Sequence, residues 1–175
     1  LRAAWNTNKL IQDNGIILLL DEEDIKLYQS DIGVCNFFSI TTRYDIAYPI
    51  SKLSQYSAKP TRGARIALDR VLSYLRCNTE FYIKGTFAPK QDITNYYSDS
   101  DHGGNMPYTS HSHTGINLLL NSVPIVWKSK KQPKTSRSSA EAEIYALDLA
   151  VSVGKYTNLD NTSTTSNTYY HWQLT

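Results

Sequence analysis

The chain has 175 residues, 41% hydrophobic and 19% charged, which allows one folded domain, or one plus a fragment, and excludes wholesale disorder. Eighteen bases against sixteen acids leave a net charge of +2, too mild by itself to announce a nucleic-acid partner. The longest apolar run, Ile16-Ile17-Leu18-Leu19-Leu20, is far short of the roughly 20 residues of a membrane span. No basic-then-apolar leader opens the chain, so an intracellular, cytoplasmic protein is expected, neither secreted nor membrane-bound. Two cysteines, Cys35 and Cys77, make no disulfide framework and no zinc site, and both are expected as buried thiols. The only methionine is Met106 and the first residue is Leu1, so a piece of a longer polypeptide is expected.

The first half reads as helical. Asp21, Glu22, Glu23 and Asp24 form an acidic cluster. Ile46, Ile50 and Leu53 follow helical spacing, which requires Pro49 to fall in a first turn, where its missing donor does no harm. Ala64, Leu68, Val71, Leu72 and Leu75 stripe a helix over 62–76, with Pro60 and Thr61 as its start signal. Around that helix the bases Lys52, Lys59, Arg62, Arg65, Arg70 and Arg76 face a single acid, Asp69.

The second half changes character. Phe81-Tyr82-Ile83, residues 95–98, 115–120 and 123–128 are short β-rich runs, separated by turn chemistry at Gly103-Gly104, Asn105, Pro107, Asn121 and Pro124. Lys128, Lys130, Lys131, Lys134 and Arg137 follow without an intervening acid, candidate contacts for a phosphate backbone. A helix is predicted over 139–153, with Ser138 and Ser139 as candidate caps and Glu141 and Glu143 near its start. Residues 158–175 read as a polar tail, poor in anything that could build a core.

Three strands followed by a helix, with acids at selected ends, is the pattern that carries chemistry. Asp99 closes the run Tyr96-Tyr97-Ser98, where a carboxylate either initiates a turn or projects beyond a sheet. On the helix, Glu141, Asp148, Ser152 and Lys155 form a polar stripe, so Glu141 is expected to face water. Glu143 instead has Ala146, Leu147 and Ala150 as its helical neighbours. A carboxylate on the apolar side needs a partner, either a base or a metal shared with a second acid such as Asp99. Two carboxylates about 4 Å apart repel by roughly 4 kcal/mol at an effective dielectric near 20, so convergence calls for a cation, and all-oxygen donors favour Mg2+ or Mn2+. A carboxylate–metal cluster of that kind supports phosphodiester hydrolysis. His111 and His113 would share a strand face, but no third ligand stands at a suggestive spacing.

At these residues the sequence resembles the ribonuclease H region of copia-type (long-terminal-repeat) retrotransposon Pol polyproteins, with the segment joining it to the reverse transcriptase. The matching strings are Thr41-Thr42-Arg43-Tyr44-Asp45-Ile46-Ala47-Tyr48, Ser51-Lys52-Leu53-Ser54, Arg70-Val71-Leu72-Ser73-Tyr74-Leu75 and Tyr97-Ser98-Asp99-Ser100-Asp101. Further on stand Pro124-Ile125-Val126-Trp127-Lys128-Ser129-Lys130-Lys131-Gln132 and Ser138-Ser139-Ala140-Glu141-Ala142-Glu143-Ile144-Tyr145-Ala146-Leu147. The resemblance implies an α/β, ribonuclease H-like mixed sheet with antiparallel first three strands, preceded by a helical connection segment and truncated at its C-terminus. On that reading 1–78 is the connection segment, 79–157 an incomplete ribonuclease H-like domain and 158–175 the tail. It further implies Asp99 and Glu143 as metal-binding catalytic carboxylates, Mg2+ (or Mn2+) as cofactor, and cleavage of the RNA strand of an RNA–DNA hybrid. The reverse transcriptase portion of the same polyprotein would be a partner, inside a virus-like particle if the element is active.

The departures from the family pattern are His102, where Trp is usual, and Tyr44, where Pro is usual. The family's third Asp follows a hydrophobic strand well beyond the helix; the corresponding candidate, Asp160, stands seventeen residues after Glu143 among polar neighbours. The alternative reading is therefore a degenerate, inactive fragment that keeps nucleic-acid binding or a structural connection role.

Overall fold

In the computed structural model, which describes residues 20–85, 94–103 and 111–157, the chain is mixed α/β, with four α-helices and one three-stranded antiparallel sheet among the described residues. The chain divides into two units, Leu1–Tyr82 and Ile83–Thr175.

The first unit is helical. Helix α1 spans Glu22–Thr41 and explains the acidic cluster: Asp21 is its N-cap, accepting from the Asp24 amide at 2.8 Å, and Glu22, Glu23 and Asp24 sit where the helix dipole favours negative charge. A 3-10 turn, Tyr44–Ile46, leads into α2 (Ala47–Leu53), which holds Pro49 in its first turn as the sequence requires. A second 3-10 turn, Ser54–Tyr56, precedes α3 (Arg62–Cys77), capped by Thr61, whose hydroxyl accepts from the Ala64 amide at 3.2 Å. The apolar stripe foreseen for α3 is the buried one: Ala64, Leu68 and Val71 join Tyr28, Ile32, Cys35, Ile46, Ile50 and Leu53 in one core. Tyr28 lies fully inside it, and its hydroxyl donates to the Leu53 carbonyl at 2.8 Å, so its polar end is satisfied. Burial pushes the Tyr28 hydroxyl well above its usual titration range.

Arg43, only 8% exposed, fixes how the chain leaves this unit. Its Nε and Nη2 donate to the two Asp45 carboxylate oxygens at 3.0 and 2.9 Å, and its Nη1 donates to the Asn78 carbonyl at 2.9 Å. The Tyr74 hydroxyl donates to Asp45 Oδ2 at 2.8 Å, and the guanidinium lies 4.7 Å from the centroid of Phe81. That stacking accounts for one difference from expectation. Phe81-Tyr82-Ile83 is irregular chain, not a strand, because Phe81 packs on Arg43 and edge-to-face on Tyr44. The thiols also differ: Cys35 is buried, whereas Cys77 is exposed at the end of α3.

The second unit is β1 (Thr94–Asp101), β2 (His113–Leu120) and β3 (Val123–Lys131) in the order β1-β2-β3, with α4 (Ser139–Thr157) over one face. The β2–β3 hairpin turns on Asn121 and Ser122, both at positive φ (50° and 67°), the two-residue geometry whose twist matches that of the strands. Ile116 from the sheet packs with Ala150 and Val153 from α4, supported by Val126 and Leu149. Gly154 lets the helix close on β1, since a Cβ there would run into the Tyr96 ring.

Asp45 generates a pH prediction. Burial works to raise its pKa, but hydrogen bonds from Arg43 and Tyr74 outweigh that and hold its carboxyl below the usual range. Its contribution to stability is complete above about pH 4 and is lost as the pH falls from there through the lower folded value. Asp45→Asn is expected to cost about 3 kcal/mol at neutral pH, by leaving Arg43 unpaired. Urea midpoints measured from acid to neutral pH should converge for the two proteins as acid protonates Asp45.

Candidate functional site

Strand alternation sorts the β1 side chains. Tyr96, Ser98 and Ser100 stand opposite Leu118, Ile116 and Thr114, the face whose Ile116 packs on α4, while Tyr97, Asp99 and Asp101 take the other face. Asp99 is exposed there. Glu143 comes from α4, half-buried, and its Oε1 lies 3.4 Å from the Ser100 amide nitrogen, at the long end of hydrogen bonding. That amide belongs to β1, an edge strand of the described sheet. Glu143 thus meets the sheet at the residue next to Asp99, and no base is paired with it among the described residues. The hydroxyl of Ser100 is buried with no hydrogen-bond partner among the described residues.

The neighbouring acids have other duties. Glu141 does not simply face water. Its Oε2 accepts from the Arg137 amide at 2.6 Å while Ser138 Oγ accepts from the Glu141 amide at 3.1 Å, a reciprocal cap on the start of α4. Asp101 accepts the His113 amide on Oδ1 at 2.7 Å. His113 is buried with Nε2 2.9 Å from Ser129 Oγ, so its ring is tied to β3, and His111 is half-buried. Among the described residues no group of three or more His, Cys, Asp and Glu is placed to hold a metal ion.

Gln132 is the residue the sequence reading passed over. It is 4% exposed, and every polar atom of its side chain is used. Nε2 donates to Thr114 Oγ1 at 2.9 Å and to the Ala142 carbonyl at 3.0 Å, and Oε1 accepts from Ser136 Oγ at 2.9 Å. Its backbone amide donates to the Ser112 carbonyl at 2.8 Å. One side chain therefore ties β2 to α4 at the residue before Glu143. Its signal in the sequence was faint: a lone Gln among the bases between Lys128 and Arg137.

The basic run does not form one surface. Lys128 and Lys130 are exposed and alternate with Lys131, which takes the other face of β3; Lys134 and Arg137 are exposed in the segment before α4. Asp160 lies outside the described residues, as does most of the apolar run at 16–20. Among the described residues no helix is long and apolar enough to cross a membrane.

No family model and no solved structure matches the chain. Curated proteins do. It is 33% identical over 123 residues to the secreted RxLR effector protein 161 of Plasmopara viticola, covering 70% of this chain and 85% of that protein. It is 37% identical over 119 residues to the retrovirus-related Pol polyprotein from transposon RE2 of Arabidopsis thaliana, covering 66% of this chain and 8% of the polyprotein. A putative transposon Ty5-1 protein of Saccharomyces cerevisiae is 35% identical over 111 residues, 62% of this chain and 35% of its own length. The similarities to retrotransposon Pol proteins support a retroelement-derived protein of mixed α/β structure. It spans only a small part of the polyproteins it matches.

Gln132→Leu conserves volume but strands Thr114 Oγ1 and the Ser136 hydroxyl, so it is expected to lower stability by about 2–3 kcal/mol in urea unfolding.

Proposed function

We propose that this chain is the ribonuclease H region of a copia-type Pol polyprotein, hydrolysing the RNA strand of an RNA–DNA hybrid inside the cell, beside the reverse transcriptase portion of the same polyprotein. The observation that carries the reading is Glu143 reaching the β1 backbone one residue from Asp99, in a three-strand-then-helix unit. The donor types are those a hard divalent cation prefers: both side chains offer carboxylate oxygens, and the unpartnered Ser100 hydroxyl adds a further oxygen on the α4 side beside Glu143's contact, while Asp99 stands on the other face of β1. Asp99 and Glu143 are the residues that would hold Mg2+ or Mn2+. Such an ion, when bound, supplies Lewis-acid activation of water and charge stabilisation at the phosphodiester. Asp160 is the proposed third carboxylate. Lys128, Lys130, Lys131, Lys134 and Arg137 are proposed to meet phosphates, with the RNA strand distinguished through its 2′-OH.

A second reading has one observation in its favour. Asp101, the other acid of the string, is engaged with the His113 amide, leaving Asp99 and Glu143 as the described carboxylates at this edge. A degenerate relative that binds the hybrid without cutting it would look the same.

Cleavage of a labelled RNA–DNA hybrid separates the two readings. With magnesium the native chain is expected to cut the RNA strand, EDTA to abolish cutting, and Asp99→Asn or Glu143→Gln to slow it by about 100-fold or more, the loss of several kcal/mol of charge stabilisation. Glu141→Ala, which removes only the helix cap, is expected to cost about 1 kcal/mol of stability and leave cleavage within a few-fold. A native chain that binds the hybrid but cuts no more than Asp99→Asn would establish the degenerate reading.

A further inference from the structure

The six bases between Lys52 and Arg76 do not behave alike once the helical unit is folded. Lys52 is buried, its Nζ over the Tyr48 ring at 5.5 Å. Arg65 is spent on two acids, Nη1 to Asp31 and Nη2 to Asp69, both at 2.7 Å, which also occupies the one acid of the run. Arg62, Arg70 and Arg76 are exposed, as is Lys59 in the turn before α3, and none of the four has an ion-pair partner among the described residues. On an α-helix the three arginines fall within an arc of about 120° and are spread over about 21 Å of its length. The opposite side of α3 is the buried one, Ala64, Ala67, Leu68 and Val71. Packing therefore turns a mixed basic stretch into a one-sided row of three exposed guanidinium groups, with Asp69 on the same face held by Arg65.

We infer that the outer face of α3, through Arg62, Arg70 and Arg76, is a nucleic-acid contact that grips the phosphate backbone of a duplex. Three guanidinium groups along about 21 Å span roughly six steps of a strand, each able to take a phosphate bidentately and to release its condensed counterions. Nothing in the row reads bases, so the contact adds affinity and register without sequence preference. The inference takes the hybrid of the proposed function as ligand, but it concerns binding and a different unit of the chain, and it stands or falls separately from hydrolysis.

The test is fluorescence anisotropy of a labelled RNA–DNA hybrid with the full chain carrying Asp99→Asn, so that the hybrid stays whole, across a salt series. Combining Arg62→Gln, Arg70→Gln and Arg76→Gln is expected to weaken binding and to flatten the dependence of log K on log salt by about 0.9 per lost phosphate contact, up to about 2.7. The same three positions changed to Lys should keep the original slope, since charge carries most of the effect. Unchanged affinity and slope in the Gln protein overturns the inference. So does an equal loss in the Lys protein, and so does a full chain that fails to bind the hybrid. A chain whose slope depends on these arginines but which cuts nothing keeps the inference and overturns the nuclease; a chain that cuts but ignores them does the reverse.

Discussion

The amide of Gln132 donates at once to Thr114 on β2 and to the Ala142 carbonyl on α4, while its oxygen takes the Ser136 hydroxyl. A buried amide with every atom satisfied is costly to disturb, because each group it leaves behind would be stranded away from water. It therefore sets where α4 begins against the sheet. The reciprocal cap of Ser138 and Glu141 then fixes the first turn, and Glu143 follows with its carboxylate at the Ser100 amide. The candidate site is the end product of this chain of polar contacts more than of the small apolar core behind it, where Ile116, Ala150 and Val153 are the principal members.

The helical unit uses the same device with charge in place of an amide. Arg43 is inside, and it is tolerable there because Asp45, the Asn78 carbonyl and two aromatic faces meet its planar cation. The result is directional: the strand-like string at Phe81 is captured by a cation and never pairs as a strand. Arg65, by bridging Asp31 and Asp69, draws the negative charge towards itself and leaves the other arginines of α3 facing outward.

Much of the fold was legible because its signals are local. The helical stripe of Ala64, Leu68 and Val71, the N-cap at Thr61 and the turn at Asn121 each act within a few residues, and the structure has all three. The apolar neighbours of Glu143 singled it out from Glu141 by periodicity alone, although Glu141 proved to be a cap where water contact had been expected. What was not legible depends on partners distant in the chain. Nothing near Gln132 tells that it will meet Thr114, eighteen positions earlier, nor does anything near Cys77 tell that its helix ends in solvent.

The sequence by itself determined the helix in each half that carries the decisive residues, the β-rich stretch between them, and Glu143 as the acid with apolar helical neighbours, because periodicity, capping and turn chemistry are short-range. Only the tertiary structure decided which bases lack an ion-pair partner among the described residues, which acid is diverted to a backbone amide, and that Glu143 reaches the Ser100 amide. Those outcomes turn on burial and on hydrogen bonds between residues far apart in the chain. Such contacts exist only once the chain has closed on itself.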